Sequence, residues 1–323
     1  VRISLAIPTF QGGPLLAEVL DAIDRQPRAT ELEKIAIDSG STDGTQDLLA
    51  AHGFAVEGID QVDFDHGRTR DRMIGRAEGD VVILLTQDAT PASDDWLDAL
   101  ISAYEDPDVG AAYCRQIPRP DCNPFIARRL REWTAGTDAK VVQEPCSAEE
   151  FAALEPMQRL QRCAYDNVAG SVRRTAWAGV GGFGERRFGE DVAFGKRLIL
   201  SGHRIVFEPR AAVIHSHNRS AYEEGRRIYC DHQNLRDLFD VHIFKTHSEY
   251  RASVRWGQKE YARIVDELGI QDSGALRELH EWARAYAQTG PLGMFLGANS
   301  STNMEGPAGT LFREIDSRMH RGI

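Results

Sequence analysis

Several short segments of this chain carry side chains that can hold a cation, a phosphate or a proton. In Leu84-Leu85-Thr86-Gln87-Asp88-Ala89 a carboxylate directly follows an apolar run, so it is rigidly held and poorly solvated on one side. Such a group suits Mg2+ or Mn2+, which take one or two carboxylates together with phosphate oxygens. Its bland alternative is a helix cap before Pro91. The run Ile37-Asp38-Ser39-Gly40-Ser41-Thr42-Asp43-Gly44-Thr45 ends a strand in a carboxylate and turns through small residues into a helix. It is either a capped turn or a nucleotide site in which Asp38 accepts from a base N–H. In Phe188-Gly189-Glu190-Asp191-Val192 two carboxylates open a helix. The helix dipole favours acids there; alternatively, one of them draws a proton from an incoming hydroxyl as a general base.

Val213-Ile214-His215-Ser216-His217 closes an apolar strand with two imidazoles. The expectation is that they diverge to opposite faces, so that at most one faces a given site in an undistorted strand. That one would complete a metal sphere begun by Asp88. Asp63-Phe64-Asp65-His66-Gly67-Arg68-Thr69-Arg70-Asp71 places cations near a helix start, where an anion is also favoured; a solvated turn is an equal reading. Two matches are decoys. Gly179-x-Gly181-x-x-Gly184 lacks the preceding strand of a dinucleotide fold, and Gly195-Lys196 is followed by Arg197 without the glycine of a P-loop. No Gly-x-Ser-x-Gly elbow occurs.

The elements that position these groups alternate. Ile3 to Ile7, Lys34 to Ile37, Phe54 to Val56, Val81 to Leu85 and Gly110 to Arg115 read as strands. Between them, Leu15, Leu16, Val19, Leu20 and Ile23 follow Pro14 at helical spacing, residues 67–78 look helical, and Trp96, Leu97, Leu100, Ile101 and Tyr104 line a further helix. Alternating strands and helices imply a parallel sheet with helices on both faces. Ligands bind such sheets beyond the carboxyl ends of the strands, which collects Pro8-Thr9, Asp38-Ser39 and Gln87-Asp88 on one edge. Residues 116–165 break the pattern with Pro118, Pro120 and Pro124 and read as an insertion on that edge. From about Ser220 the chain is mostly helical, with candidates at Tyr222 to Phe239, Tyr250 to Leu268 and Ala275 to Tyr286; the last 35 residues show no readable pattern.

Composition narrows the classes. The chain has 323 residues, 42% hydrophobic and 27% charged, which is a globular balance with a sizeable core. Its net charge of −11 argues against non-specific nucleic-acid binding. Apolar runs stay far short of the roughly 20 residues of a bilayer span, and Val1 to Ile7 lacks the features of a signal peptide. The odd count of 5 cysteines, with no CxxC, reads as reduced thiols of a cytosolic protein.

Taken together and in order, "AIPTF", "IDSGSTDGT", "DHGRTRD", "LLTQDATP", "GGFGERRFGEDVAFGKR" and "VIHSHNRS" resemble the family 2 glycosyltransferases of GT-A fold. "FDHGRTR", "TQDATP" and "HSHN" look most like the bacterial rhamnosyltransferase branch. The resemblance implies a Rossmann-like, mostly parallel nucleotide-binding sheet over residues 1–219 and a helical extension over 220–323. It also implies an inverting, metal-assisted transfer of a sugar from a nucleotide diphosphate to a glycan or lipid-linked glycan hydroxyl, with dTDP-rhamnose as leading donor. Pro8, Thr9, Asp38 and Ser39 would cradle base and ribose, and Arg70 and Asp71 would flank the nucleotide. Gln87 and Asp88 stand at the family's Asp-x-Asp motif, whose first acid is here Thr86. Asp88 with His215 or His217 would bind Mn2+ or Mg2+; Asp191 would be the base and Glu190 its orienting neighbour.

Two rivals accompany this reading. A catalytically inactive sugar-nucleotide or glycan-binding module draws support from the degenerate Thr-Gln-Asp. A sugar nucleotidyltransferase would carry a basic glycine-rich loop after the first strand, where this chain has Pro8-Thr9-Phe10-Gln11-Gly12-Gly13. The expected location is the cytoplasm, at most peripheral to the membrane. Arg128, Arg129, Arg131 and Trp133 offer a lipid contact, with a solvated helix face as the blander alternative. The C-terminal helices offer acceptor contacts or a homo-oligomer surface.

Overall fold

A computed structural model describes residues 1–133, 136–186, 188–300 and 306–321, so Arg187 of the glycine-rich motif lies outside the described residues. The chain divides into two compact units, Val1–His217 and Asn218–Ile323.

The first unit is built on a mixed sheet. Its strands are β1 (Ile3–Thr9), β2 (Glu33–Asp38), β3 (Ala55–Gly58), β4 (Val81–Leu85), β5 (Thr90–Pro91), β6 (Val109–Ile117), β7 (Val141–Gln143), β8 (Ala169–Arg173) and β9 (Arg204–Ile214). They run in the order β3-β2-β1-β4-β8-β6-β9-β5, with β7 also paired to β9. β1, β2, β3 and β4 pair in parallel, which is the half legible from alternation. β8 then enters antiparallel between β4 and β6. Its sequence, Ala169-Gly170-Ser171-Val172-Arg173, has no apolar run, yet four of the five residues are buried. Small side chains let its neighbours close over it.

Helices α1 (Gly13–Asp24), α2 (Thr45–Ala51), α3 (His66–Arg76) and α4 (Trp96–Ile101) follow β1, β2, β3 and β5. The α1 face of Leu16, Val19, Leu20 and Ile23 is buried, and it joins Leu5, Ile7, Val81, Ile83 and Trp96 in the core. Among the described residues, the segment between β6 and β8 contains β7 and the helices α5 (Pro124–Glu132), α6 (Ala148–Ala153) and α7 (Pro156–Arg162). On α5, Arg128 pairs with Glu132 at 2.7 Å across an exposed face. α8 (Arg174–Gly179) and α9 (Glu190–Leu200) complete the unit.

The second unit comprises α10 (Ala221–Phe239), α11 (His247–Glu267), α12 (Ser273–Asn299) and α13 (Gly306–His320). Thus α12 runs well beyond Tyr286, and most of the segment that lacked a readable pattern is helical. Two of the glycines that obscured it, Gly293 and Gly297, are packing contacts with α10. A Cβ on Gly293 would lie 2.4 Å from the Gly225 carbonyl oxygen of α10, so only hydrogen permits this approach. Tertiary contact, not propensity, holds this turn. Gly293→Ala is therefore expected to destabilise the protein by about 1–3 kcal/mol. Gly290→Ala, whose Cβ would meet only side chains at 3.4 Å or more, should be neutral or stabilising. Urea unfolding midpoints of the two variants check this contrast.

Candidate active site

The ends of β1, β2 and β4 meet at one edge of the sheet. Asp38, the last residue of β2, is fully buried and acts as a hub. Oδ2 accepts from Thr9 Oγ1 at 2.8 Å and Ser41 Oγ at 2.6 Å. Oδ1 accepts from the Ser41 and Gly40 N–H groups and from Gln46 Nε2. Burial alone would raise this carboxyl, but the hydrogen bonds from Ser41, Thr9 and Gln46 outweigh it and hold it below the usual carboxylate range. Ser39 ties back to the Thr9 carbonyl through N–H at 2.9 Å and Oγ at 3.1 Å. Pro8 sits beside Ile37 in the β1–β2 pairing. Pro8, Thr9, Asp38 and Ser39 thus form one rigid corner.

Gln87 clamps the next loop. Its Oε1 accepts from Phe10 N–H at 2.8 Å, and its Nε2 donates to Phe10 O at 2.9 Å. An acid could not make both bonds, because an ionised carboxylate only accepts. Asp88 then turns to the two histidines. Its Oδ1 lies 3.6 Å from His215 Nε2, and its Oδ2 lies 3.5 Å from His217 Nε2. Among the described residues these three form the cluster able to hold a metal ion, with ligand atoms within 4.8 Å of one another. The expected divergence of the imidazoles does not occur. Residues two apart share a side of an extended chain, and β9 has already ended at Ile214. Ligand bonds of about 2.0–2.2 Å put neighbouring donors roughly 3.0–3.5 Å apart, so the oxygen and two nitrogens fit a divalent cation after a small contraction.

A second corner lies at the start of α9. Gly189 is left-handed at φ 71°, which lets the chain turn into the helix. Glu190 Oε1 accepts from Arg70 Nη1 at 3.1 Å and from Asn167 Nδ2 at 3.2 Å. Arg70 is itself buried and also donates to the His66 carbonyl. Asp191 is half-buried, with Oδ1 near its neighbour's N–H. Burial, then the negative charges of Glu190 and Asp166, pushes its carboxyl well above the usual range. Asp71 has partners other than those expected. It accepts from Trp177 Nε1 at 2.7 Å and from the Phe183 and Gly184 N–H groups at 2.8 Å each, pinning the 182–184 turn. A Cβ on Gly182, which has φ +71°, would collide with that carboxylate.

Four neighbours carry no signal of their role in the sequence. Arg119 donates to the Asp88 carbonyl at 2.9 Å and to Thr90 Oγ1 at 3.2 Å, and it pairs with Glu18. Gln116 and Asp166 stand behind His215. Residues beyond a parallel strand's carboxyl end reach this edge, but so do those preceding an antiparallel strand. Asp166 and Asn167 precede β8, and Thr86 N–H donates to Val168 O at 2.9 Å.

Residues 4–168 match the family model described as glycosyl transferase family 2. The chain belongs to this family. This family 2 protein is 32% identical to the O-antigen chain rhamnosyltransferase RfbN of Salmonella typhimurium, over 71% of each chain. It is 30% identical to the O-antigen chain rhamnosyltransferase WbaN of Salmonella anatum, over 70% of each. Its fold is similar to that of a mannosyltransferase from Pyrobaculum calidifontis solved with GDP-Man and Mn2+, with TM-score 0.52 and 18% identity over 98% of this chain and 84% of that one. The family 2 chain is a nucleotide-sugar glycosyltransferase of GT-A fold, similar to rhamnosyltransferases. A sugar nucleotidyltransferase is thereby set aside.

Proposed function

We propose that this glycosyltransferase moves rhamnose, with inversion, from dTDP-rhamnose to a hydroxyl of a growing surface glycan or its lipid-linked precursor. The likeness to two O-antigen rhamnosyltransferases supports the sugar and the acceptor class. The observation that carries the mechanism is the convergence of Asp88, His215 and His217 at the tip of the central strand β4. Those three residues would hold the cation. When bound, a divalent ion neutralises charge that develops on the diphosphate leaving group. Two imidazoles beside one carboxylate favour an ion that accepts nitrogen, ranking Mn2+ above Mg2+.

The remaining groups act on the organic substrates. Pro8 would meet the nucleoside above a buried floor of Thr9, Asp38 and Ser39, in which Asp38 spends its oxygens on five protein donors instead of a base N–H, and Gln87 fixes the Phe10 backbone beside it. Asp191 accepts the acceptor hydroxyl's proton as the new C–O bond forms and the anomeric C–O bond to diphosphate breaks. Attack opposite the leaving group inverts the anomeric carbon. Glu190, held by Arg70 and Asn167, fixes the helix turn that presents Asp191. Asp71 holds the turn leading into that segment rather than the nucleotide itself.

Thermal denaturation with and without Mn2+ in the presence of dTDP-rhamnose, UDP-glucose and GDP-mannose tests the assignment. A ligand at 100 times its Kd adds about 2.7 kcal/mol of stability, so dTDP-rhamnose with Mn2+ should give the largest rise in Tm. An equal rise with UDP-glucose or GDP-mannose removes the donor assignment; a rise indifferent to Mn2+ removes the metal. No helix among the described residues is long and apolar enough to cross a membrane.

A further inference from the structure

Behind His215 runs a chain of hydrogen bonds whose direction is set at its far end. His215 Nδ1 lies 3.0 Å from Gln116 Oε1. Gln116 Nε2 donates to Asp166 Oδ2 at 2.6 Å. The other oxygen of Asp166 accepts from the Val168 N–H at 2.7 Å. His215 and Gln116 are both buried.

Each group dictates the next. Burial raises the Asp166 carboxyl, while the Val168 N–H, the Arg70 charge and the Gln116 amide favour its charged form; as a carboxylate it only accepts, so Gln116 turns its NH2 to Asp166 and its oxygen to His215. That oxygen can only accept, so the proton of the neutral imidazole sits on Nδ1. The lone pair is then on Nε2, the nitrogen that faces Asp88 at 3.6 Å. Ligation needs that lone pair; an Nε2–H would point a proton at the cation. Outer partners of this kind are typically worth 10–100-fold in metal affinity, an order-of-magnitude range.

We propose that Gln116 and Asp166 are positioning residues that lock His215 in the metal-ligating tautomer. The proposal rests on reading Asp88, His215 and His217 as the metal site. It makes Asp166→Asn, a nearly isosteric change two residues removed from the cation, a reversal of the chain. The Val168 N–H retains the oxygen of the new amide, so its NH2 faces Gln116. Gln116 must then rotate and present its own NH2 to Nδ1, which becomes an acceptor and drives the proton to Nε2. Adding Gln116→Glu supplies a carboxylate that accepts from both sides and restores Nδ1–H.

The experiment compares the wild type, Asp166→Asn and the Asp166→Asn, Gln116→Glu double variant. Nitrogen-15 NMR of histidine-labelled protein reads the tautomer, and electron paramagnetic resonance reads Mn2+ binding in the presence of dTDP. The expected result is Nδ1–H, Nε2–H and Nδ1–H in that order. Mn2+ affinity should fall by about 10–100-fold in the single variant and recover to within a few-fold in the double. Wild-type affinity in Asp166→Asn overturns the relay while leaving the metal site standing. So does a double variant as weak as the single one, or an Nε2–H signal in the wild type. A wild type that binds no Mn2+ overturns the metal site and the relay together.

Discussion

Asp191→Asn should bind Mn2+ and donor as the wild type does and yet transfer sugar on the order of 10²–10⁴-fold more slowly, the usual worth of general-base catalysis. The expectation rests on the elevated carboxyl of Asp191, raised first by burial and then by Glu190 and Asp166. A base poised above the ordinary carboxylate range is stronger, and it stays useful only while ionised. The kcat/KM of the wild type should therefore fall with decreasing pH through a midpoint above the ordinary carboxylate range. The residual rate of the variant should lack that limb. Stability must move the other way. Between the ordinary and the elevated value the folded protein binds more protons than the unfolded chain, so this group's contribution falls as pH rises. At neutral pH the variant should melt higher than the wild type. Slower transfer together with a higher Tm identifies the base; slower transfer with a lower Tm would mean that the fold has been damaged instead.

Asp88→Ala should abolish Mn2+-dependent binding of dTDP and lower kcat/KM by at least about 10²-fold, the scale of losing one preorganised group that stabilises developing charge. The loss should exceed that of the outer partners, because Asp88 contributes the charged atom of the cluster and faces both imidazoles. Arg119 holds the Asp88 backbone carbonyl, not its side chain, so the loop around the substitution keeps its anchor. Calorimetry of dTDP with and without Mn2+ reads the effect. Unchanged Mn2+ dependence in the variant would remove Asp88 from the metal site.

Much of this geometry was legible because the parallel half of the sheet announces itself. Val81 to Leu85 is a continuous apolar run, and the polar residues after it fall on the ligand edge by the rule of parallel sheets. What escaped has physical reasons. β8 is buried through small residues, so it has neither an apolar run nor alternation. Its antiparallel direction brings the residues before it, Asp166 and Asn167, to the edge that parallel strands reach with the residues after them. Gln116 is one polar residue in a buried strand, and its significance depends on His215, 99 positions away. The imidazoles were expected to diverge, yet both face Asp88 because alternate residues share a side and the strand stops before them. The family resemblance puts Asp71 beside the nucleotide, and only its three donors assign it to the 182–184 turn.

Thr86, two residues before Asp88, is not an acid, and its N–H and hydroxyl are turned to the Val168 carbonyl. Asp88 is the one carboxylate in its cluster with His215 and His217. A dication held there would be under-compensated by one carboxylate, so it would sit weakly alone and would attract a polyanion. Ion and diphosphate would then hold each other in place, each tightening the other by the same factor through thermodynamic reciprocity. Such a cradle would discharge as a unit, the ion following once the spent nucleotide departs.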